Sequence, residues 1–365
     1  MSPRKMVLVV VALLSGGVLA VSCADVPHVM RMGVEEQATE KLPLWPNQPD
    51  IPRYRFAGQL TGWENFRVAE EEIPKGLRKA AFLIVGLDPE TGLARENARK
   101  SLRRPQTGLV DAAGRILITD SGHRGVVVFD QPTGKFYLWQ KADAVTPFSS
   151  PVGIALGRGD EYLVADAELG RVVRLDSRGE PVGDFGRDYL VRPTGLARDP
   201  ARGMVYVADT RSQSIKVFSD DGQHVKTIGG PGTENGNFNG PTHIAYGRNR
   251  LYVTDTLNAR VQVFDTEGEF LFAIGRRGIL VGEMVRPKGV TVDAEGNIYV
   301  VESFHDHLLI FNKDGQFLMP IGGTGKDVGN FYLPSGVWSD ARGRVFVADM
   351  FNGRVTVFQY LGGQG

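Results

Sequence analysis

The sequence predicts an all-β fold, a six-bladed β-propeller built from four-stranded antiparallel blades, and three observations carry that expectation. A proline-headed motif recurs at Pro105, Pro151, Pro193, Pro241, Pro287 and Pro334, with spacings of 46, 42, 48, 46 and 47 residues. A pitch in the forties with several short β runs per unit is the signature of propeller blades. Each unit repeats one order of turns and β runs, represented by "DAEGN", "LYVTD", "RVQVFD", "DTEG" and "FLFAIG". The 46 glycines and 20 prolines among 365 residues supply the turns this order needs. Acidic and basic residues both number 42, so no basic excess argues for nucleic acid.

The chain opens with Arg4 and Lys5, an apolar run from Met6 to about Leu14, and small residues ending at Cys23, the layout of a secretory signal. The stretch "LAVSC" resembles a bacterial lipoprotein box, in which cleavage precedes the cysteine and the thiol carries a lipid with palmitate-type chains. Ordinary secretion is the alternative, because Ala20 stands where leucine gives the stronger match. A single cysteine excludes a disulfide framework and any cysteine-rich zinc module. The expected division is a signal peptide over residues 1–22, a lipidated tether over 23–52 and a propeller over 53–361 with a helical insertion at 67–104. Lipid chains would anchor the protein to a membrane without spanning it. Ala24 rather than aspartate follows Cys23, which implies outer-membrane delivery in a host with two membranes. Residues 24–48 are polar and proline-punctuated, so their deletion is expected to cost little stability.

The repeat itself is best seen in "VRPTGLARDPARGMVYVADTRSQSIKVFSDDGQHVKTIGG" and "GPTHIAYGRNRLYVTDTLNARVQVFDTEGEFLFAIG". These stretches resemble the NHL-repeat six-bladed β-propellers, and the resemblance covers about residues 53 to 360. The chain stops at "RVTVFQYLGGQG", one strand short of a full sixth blade, while "RYRFAGQLTG" at 53–62 reads as an unattached outermost strand. The N-terminal strand is therefore expected to close the ring in blade 6, since an open ring would leave sheet edges exposed.

Features present in every blade read as structure. Leu102, Phe148, Leu190, Phe238, Met284 and Phe331, each three residues before a blade proline, are expected to pack between blades. Asp120, Asp166, Asp209, Asp255 and Asp349 end the second strands, where a carboxylate can accept turn amides or pair with the arginine five residues later, as at Arg171, Arg260 and Arg354.

Departures from the repeat are the candidates for function. Blade 5 reads "VVESFHDHLLIFN": Glu302 replaces the aspartate, His305 stands where blades 4 and 6 have Asn258 and Asn352, and His307 stands where they have arginine. One reading is an altered turn in which a protonated His307 pairs with Glu302; a proton-sensitive contact is another. A metal site would need a third ligand, and Asp306 would project the other way along an extended chain. His243 in "GPTHIAYG" stands where Gly108, Gly153, Gly195, Gly289 and Gly336 are aligned, so it is expected at the channel, either as a structural histidine or as a ligand-binding group.

Propellers resembling this one include a lyase with zinc on three channel histidines and lactonases that hold a cation with channel carboxylates and amides. The inner strands here offer one histidine and no carboxylate, so no metal and no cofactor are expected. The insertion holds "PKGLRKAAFLIVG", which predicts a short helix, either a core-extending decoration or a lid or partner-binding element. On the face carrying the turns after the second strands, Leu257, Phe304, Met350 and Phe351 stand where blades 1 to 3 are small or polar, and Ile279, Leu280 and Val281 lie in the connection into blade 5. The function expected is a non-catalytic binding or scaffolding propeller for a protein partner, an extracytoplasmic lipoprotein held to a membrane by its lipid. The alternative is a metal-dependent propeller enzyme of lyase or lactonase type.

Overall fold

The computed structural model describes residues 28–32, 42–68 and 101–362. Cys23, the signal and the helix expected at 74–86 lie outside the described residues. Six antiparallel sheets surround one axis. Blade 4 shows the pattern: Pro241–Gly247 lines the axis, followed outward by Arg250–Asp255, Arg260–Asp265 and Phe270–Ile274.

Burial follows position in the blade. Second and third strands are covered on both faces by neighbouring blades, so they read as continuous apolar runs; every residue of Ile116–Asp120 and Gly125–Asp130 is buried. Fourth strands lie at the rim, and Phe270–Ile274 alternates between exposed and covered positions. The core is divided among the gaps between blades. Phe238, for example, packs with Tyr206, Ile215 and Val217 of blade 3 and with Ile244, Val253 and Phe264 of blade 4. All six apolar residues placed three before the blade prolines are buried.

At the axis the innermost strands approach too closely for most side chains. A Cβ on Gly195 would lie 2.8 Å from the His243 Cα, and one on Gly289 would lie 2.5 Å from the Val337 nitrogen. Blade 1 corrects the alignment by one residue. Thr107 pairs with Thr119 as Gly195 pairs with Ala208 and His243 with Thr254, so Thr107 rather than Gly108 occupies this slot.

Tyr54–Leu60 pairs antiparallel with Arg354–Tyr360 and forms the fourth strand of blade 6, whose first three strands are Val337–Ser339, Arg344–Asp349 and Arg354–Tyr360. Blade 6 is then tied to blade 1 by the Ser335 hydroxyl, which donates within reach of the carbonyls of Pro105 and Gln106, both at 2.8 Å.

The segment expected as a plain tether contributes structure. Leu44–Trp45 adds a fifth, rim strand to blade 6, and His28–Met30 pairs with Phe66–Val68. Asn65 holds this strap: its Oδ1 accepts from the amides of Thr61 and Gly62 at 2.8 and 3.1 Å, and its Nδ2 donates to the carbonyls of Arg31 and Gln59 at 2.8 and 2.9 Å. Met30 is buried with Leu60, Phe66, Phe129 and Val355, closing the gap between blades 6 and 1. The turn of blade 1's outer hairpin passes so near that a Cβ on Gly134, where φ is 62°, would overlap the His28 carbonyl oxygen.

Candidate functional site

Strand alternation gives the ring two different faces. The turns after second strands and the connections between blades form one, called here the upper face; the remaining turns form the lower face.

The upper face is organised by the buried carboxylates that end the second strands. Asp209 accepts from the amides of Val191 and Arg192 at 2.7 and 2.8 Å, and so fixes the connection entering its blade to the turn leaving it. Asp120, Asp166, Asp255, Glu302 and Asp349 bond the equivalent amides of their own blades. Arg260 and Arg354 pair with Asp255 and Asp349 at 2.9 and 2.8 Å, as the spacing suggests. Arg171 does not pair with Asp166. That aspartate already serves the amides of Ser149, Ser150, Glu168 and Leu169, while the buried Arg171 guanidinium reaches Asp143 and Asp184, both at 2.8 Å.

The His-Asp-His stretch is a turn of the same design. Glu302 is fully buried and accepts from the amides of Arg286 and His305 at 2.6 and 2.7 Å, with His305 Nδ1 at 2.9 Å from the same carboxylate. Asn258 and Asn352 donate to Asp255 and Asp349 at 2.8 Å from the same position. The partner of Glu302 is therefore His305 and not His307, because at the arginine position an imidazole is too short to bridge back. His307 is half-buried, and burial first, then the neighbouring His305, lowers its pKa. Asp306 is not on extended chain: its φ is 57°, and its carboxylate accepts from Thr324 Oγ1 and the Leu333 amide, both at 2.7 Å. The residue before the third strand has positive φ in every blade, at Arg124, Gly170, Gln213, Ala259, Asp306 and Gly353. Among the described residues no three His, Cys, Asp or Glu side chains come together to hold a metal ion.

The upper face carries the apolar row that the sequence singled out. Ile279 is 78% exposed, Leu280 65%, Leu257 58%, and Phe304 and Phe351 52% each. Arg277, in the connection that carries Ile279 and Leu280, donates to the Leu257 carbonyl, and the Arg286 guanidinium stands 6.0 Å from the Phe304 ring centre. Tyr332, which sequence reasoning missed, is also exposed and meets Phe351 edge to face at 5.7 Å. Met350 leaves the row: it is half-buried, and its Sδ accepts from Gln106 Nε2 at 3.3 Å. Neither Arg277 nor Arg286 pairs with a carboxylate among the described residues.

The axial channel is the other candidate. A cavity of about 290 Å³ is lined by Leu109, Leu156, Leu196, Ile244, Tyr246 and Trp338 and also by Arg198, with His243 and Thr107 at its inner end. These residues run from the middle of the innermost strands toward their C-terminal ends, so the cavity belongs to the lower half of the channel. His243 is buried with neither ring nitrogen hydrogen-bonded, and the Trp338 indole N–H is likewise unpartnered. Burial, and secondarily the charge of Lys288, pushes the His243 pKa down to about 3, so the ring is neutral at ordinary pH.

Comparison with known proteins fits this architecture. A family model described as a 6-bladed beta-propeller, DUF5128, matches residues 233–305. The chain is a six-bladed β-propeller. No curated protein matches the sequence. Among solved structures, it is similar to a protein of unknown function from Bacteroides thetaiotaomicron, with 15% identity over 72% of this chain and 71% of that one and a TM-score of 0.58. It is similar to virginiamycin B lyase from Staphylococcus aureus, with 15% identity, coverage of 71% and 95%, and a TM-score of 0.52. A luciferin-regenerating enzyme is 13% identical, with coverage of 72% and 92% and a TM-score of 0.54. At these identities the likeness is one of fold.

Chemically, the upper face offers apolar contact bordered by the guanidinium groups of Arg277 and Arg286. The channel offers a neutral imidazole whose ring nitrogens have no hydrogen-bond partner. Sequence reasoning reached the first through residues that break the repeat. The cavity escaped it, because strands from all six blades shape it and no stretch of sequence displays its volume.

Proposed function

We propose that this propeller is a lipid-anchored extracytoplasmic protein of NHL type whose upper face holds a protein partner. The observation that carries the reading is the exposed row of Leu257, Ile279, Leu280, Phe304 and Phe351 across adjacent blades. Scattered apolar residues are ordinary on a surface, whereas a contiguous set on one face marks a contact surface. The row is bordered by Arg277 and Arg286, which have no carboxylate partners among the described residues, so the partner it fits presents aliphatic or aromatic side chains edged by carboxylates. Each large side chain buried in such a contact is worth roughly 1.5–3 kcal/mol. Anchoring rests on the lone Cys23 in "LAVSC" and places the ring outside the cytoplasm.

The test is co-purification after gentle detergent extraction of the lipidated protein, comparing wild type with Phe304→Ser plus Phe351→Ser and with a lower-face control, Leu156→Ser. The reading predicts that only the upper-face variant loses the partner, with its melting temperature unchanged. A variant that melts much lower while still retaining the partner would show that the row is internal packing. Cys23→Ser tests the anchor separately: it should move the protein into the soluble extracytoplasmic fraction, and retention on membranes after a high-salt wash would refute lipidation at that residue.

A further inference from the structure

Two polar side chains on neighbouring innermost strands have no hydrogen-bond partner among the described residues. His243, nine-tenths buried, leaves both Nδ1 and Nε2 without a hydrogen bond. Lys288 stands between Pro287 and Gly289 at the head of the next blade's innermost strand, is half-buried, and meets no carboxylate among the described residues. Its charge bears on His243, and the charged neighbour that acts on it is the like-charged Arg286. A half-buried cation without a counter-ion and a buried imidazole without a partner call for the same remedy, an anionic acceptor shared by the two. The cavity extends from His243, which stands in its wall, toward the lower face.

We propose that the channel binds a short apolar monocarboxylate, its carboxylate held by Lys288 and His243 and its hydrocarbon body in the lower cavity. The head group follows from the donors. One ammonium and one imidazole N–H match the single charge and two oxygens of a carboxylate, whereas a phosphate monoester brings nearly two charges and three acceptor oxygens. The body follows from the walls: Leu109, Leu156, Leu196, Ile244 and Trp338 supply the apolar part of the lining, while Arg198, which also lines the cavity, has its guanidinium held by Asp220. A volume of about 290 Å³ holds about ten water-sized groups, the size of an eight-carbon acid. Burial and the repulsion from Arg286 both lower the Lys288 pKa, so a carboxylate that restores its charge balance offsets both. This site is separate from the apolar row, and it stands or falls independently of the upper-face partner.

The test is isothermal titration of the full-length protein with octanoate, octan-1-ol and octyl phosphate. Octanoate should bind once per chain, and octanol, which keeps the body and loses the charge, should bind about tenfold or more weaker. Lys288→Met should bring octanoate down to the level of octanol while leaving octanol unchanged; Lys288→Gln replaces it should the methionine variant fail to fold. Phe304→Ser plus Phe351→Ser should leave octanoate affinity as it was. Absence of octanoate binding, equal affinities for acid and alcohol, or full octanoate affinity in the Lys288 variants would overturn the proposal. Loss of binding in the upper-face variant would place the ligand on the other face and overturn it as well. Octyl phosphate binding tighter than octanoate would overturn the choice of head group.

Discussion

At the residue scale, the turn carried by Glu302 shows how one substitution can look like a site and be a variation on structure. His305 Nδ1 does for Glu302 what Asn258 and Asn352 do for Asp255 and Asp349. His305→Asn should therefore be nearly neutral in thermal unfolding, while His305→Ala should cost about 1–3 kcal/mol, because a buried carboxylate oxygen loses a donor. Equal losses for both variants would remove the equivalence. His243 leads to a pH dependence. Its folded pKa, about 3, lies below the ordinary histidine value, so the unfolded chain binds a proton that the folded chain excludes. The stability linked to it is complete above about pH 6.5 and is lost progressively as pH falls toward 3, by up to about 1.4 kcal/mol per pH unit. His243→Leu should flatten the decline in melting temperature between pH 6.5 and 4; an unchanged decline would show that the ring is not buried neutral. The residue types at 302, 305 and 243 were legible as departures from a repeat, but their partners were not. Which nitrogen meets Glu302 depends on the left-handed turn at Asp306. The isolation of His243 depends on the backbones closing around it.

At the element scale, the blades were legible because the same turn chemistry recurs six times. Each proline heads an innermost strand or its entering connection, and each second strand ends in a carboxylate. Blade 1 was misaligned by one residue because its glycine, Gly108, follows the slot that Thr107 fills. The strap was not legible. His28–Met30 and Leu44–Trp45 are too short to show a period, and they are strands only because Phe66–Val68 and Tyr54–Leu60 are there to pair with them. The structure thus reverses the expectation that residues 24–48 can be removed cheaply. Loss of Met30 from its cluster alone resembles a methionine-to-alanine change in a core, roughly 2–5 kcal/mol. A truncation removing residues 24–48 should melt several degrees below one removing only 24–27, by roughly 1.5 °C per kcal/mol lost in a ring of this size. Equal melting temperatures would mean that the strap adds nothing to the ring. Truncation through Gly62 should be far worse, since it strips the fourth strand from blade 6 and bares the edge of Arg354–Tyr360.

At the scale of the whole molecule, ring closure separates two chemically different surfaces. Buried carboxylates pin the upper connections in place, so Ile279, Leu280, Phe304 and Phe351 are held out on fixed turns rather than collapsing onto the ring. The lower half of the channel carries the cavity and faces the other way. The division follows from strand alternation, and so the sequence sufficed to place the row on one face; the exposure of Tyr332 and the withdrawal of Met350 depend on side-chain packing that no repeat position encodes. The central claim is that the upper face is where a protein partner sits. It is tested most directly by photo-crosslinking in the full-length protein in its host cells, with the reactive group placed in turn at Leu280, Phe304 and Phe351 on the upper face and at Leu156 and Val182 away from it. The account predicts that one protein is crosslinked from all three upper positions and from neither of the others. Crosslinks confined to positions 156 and 182 would contradict it.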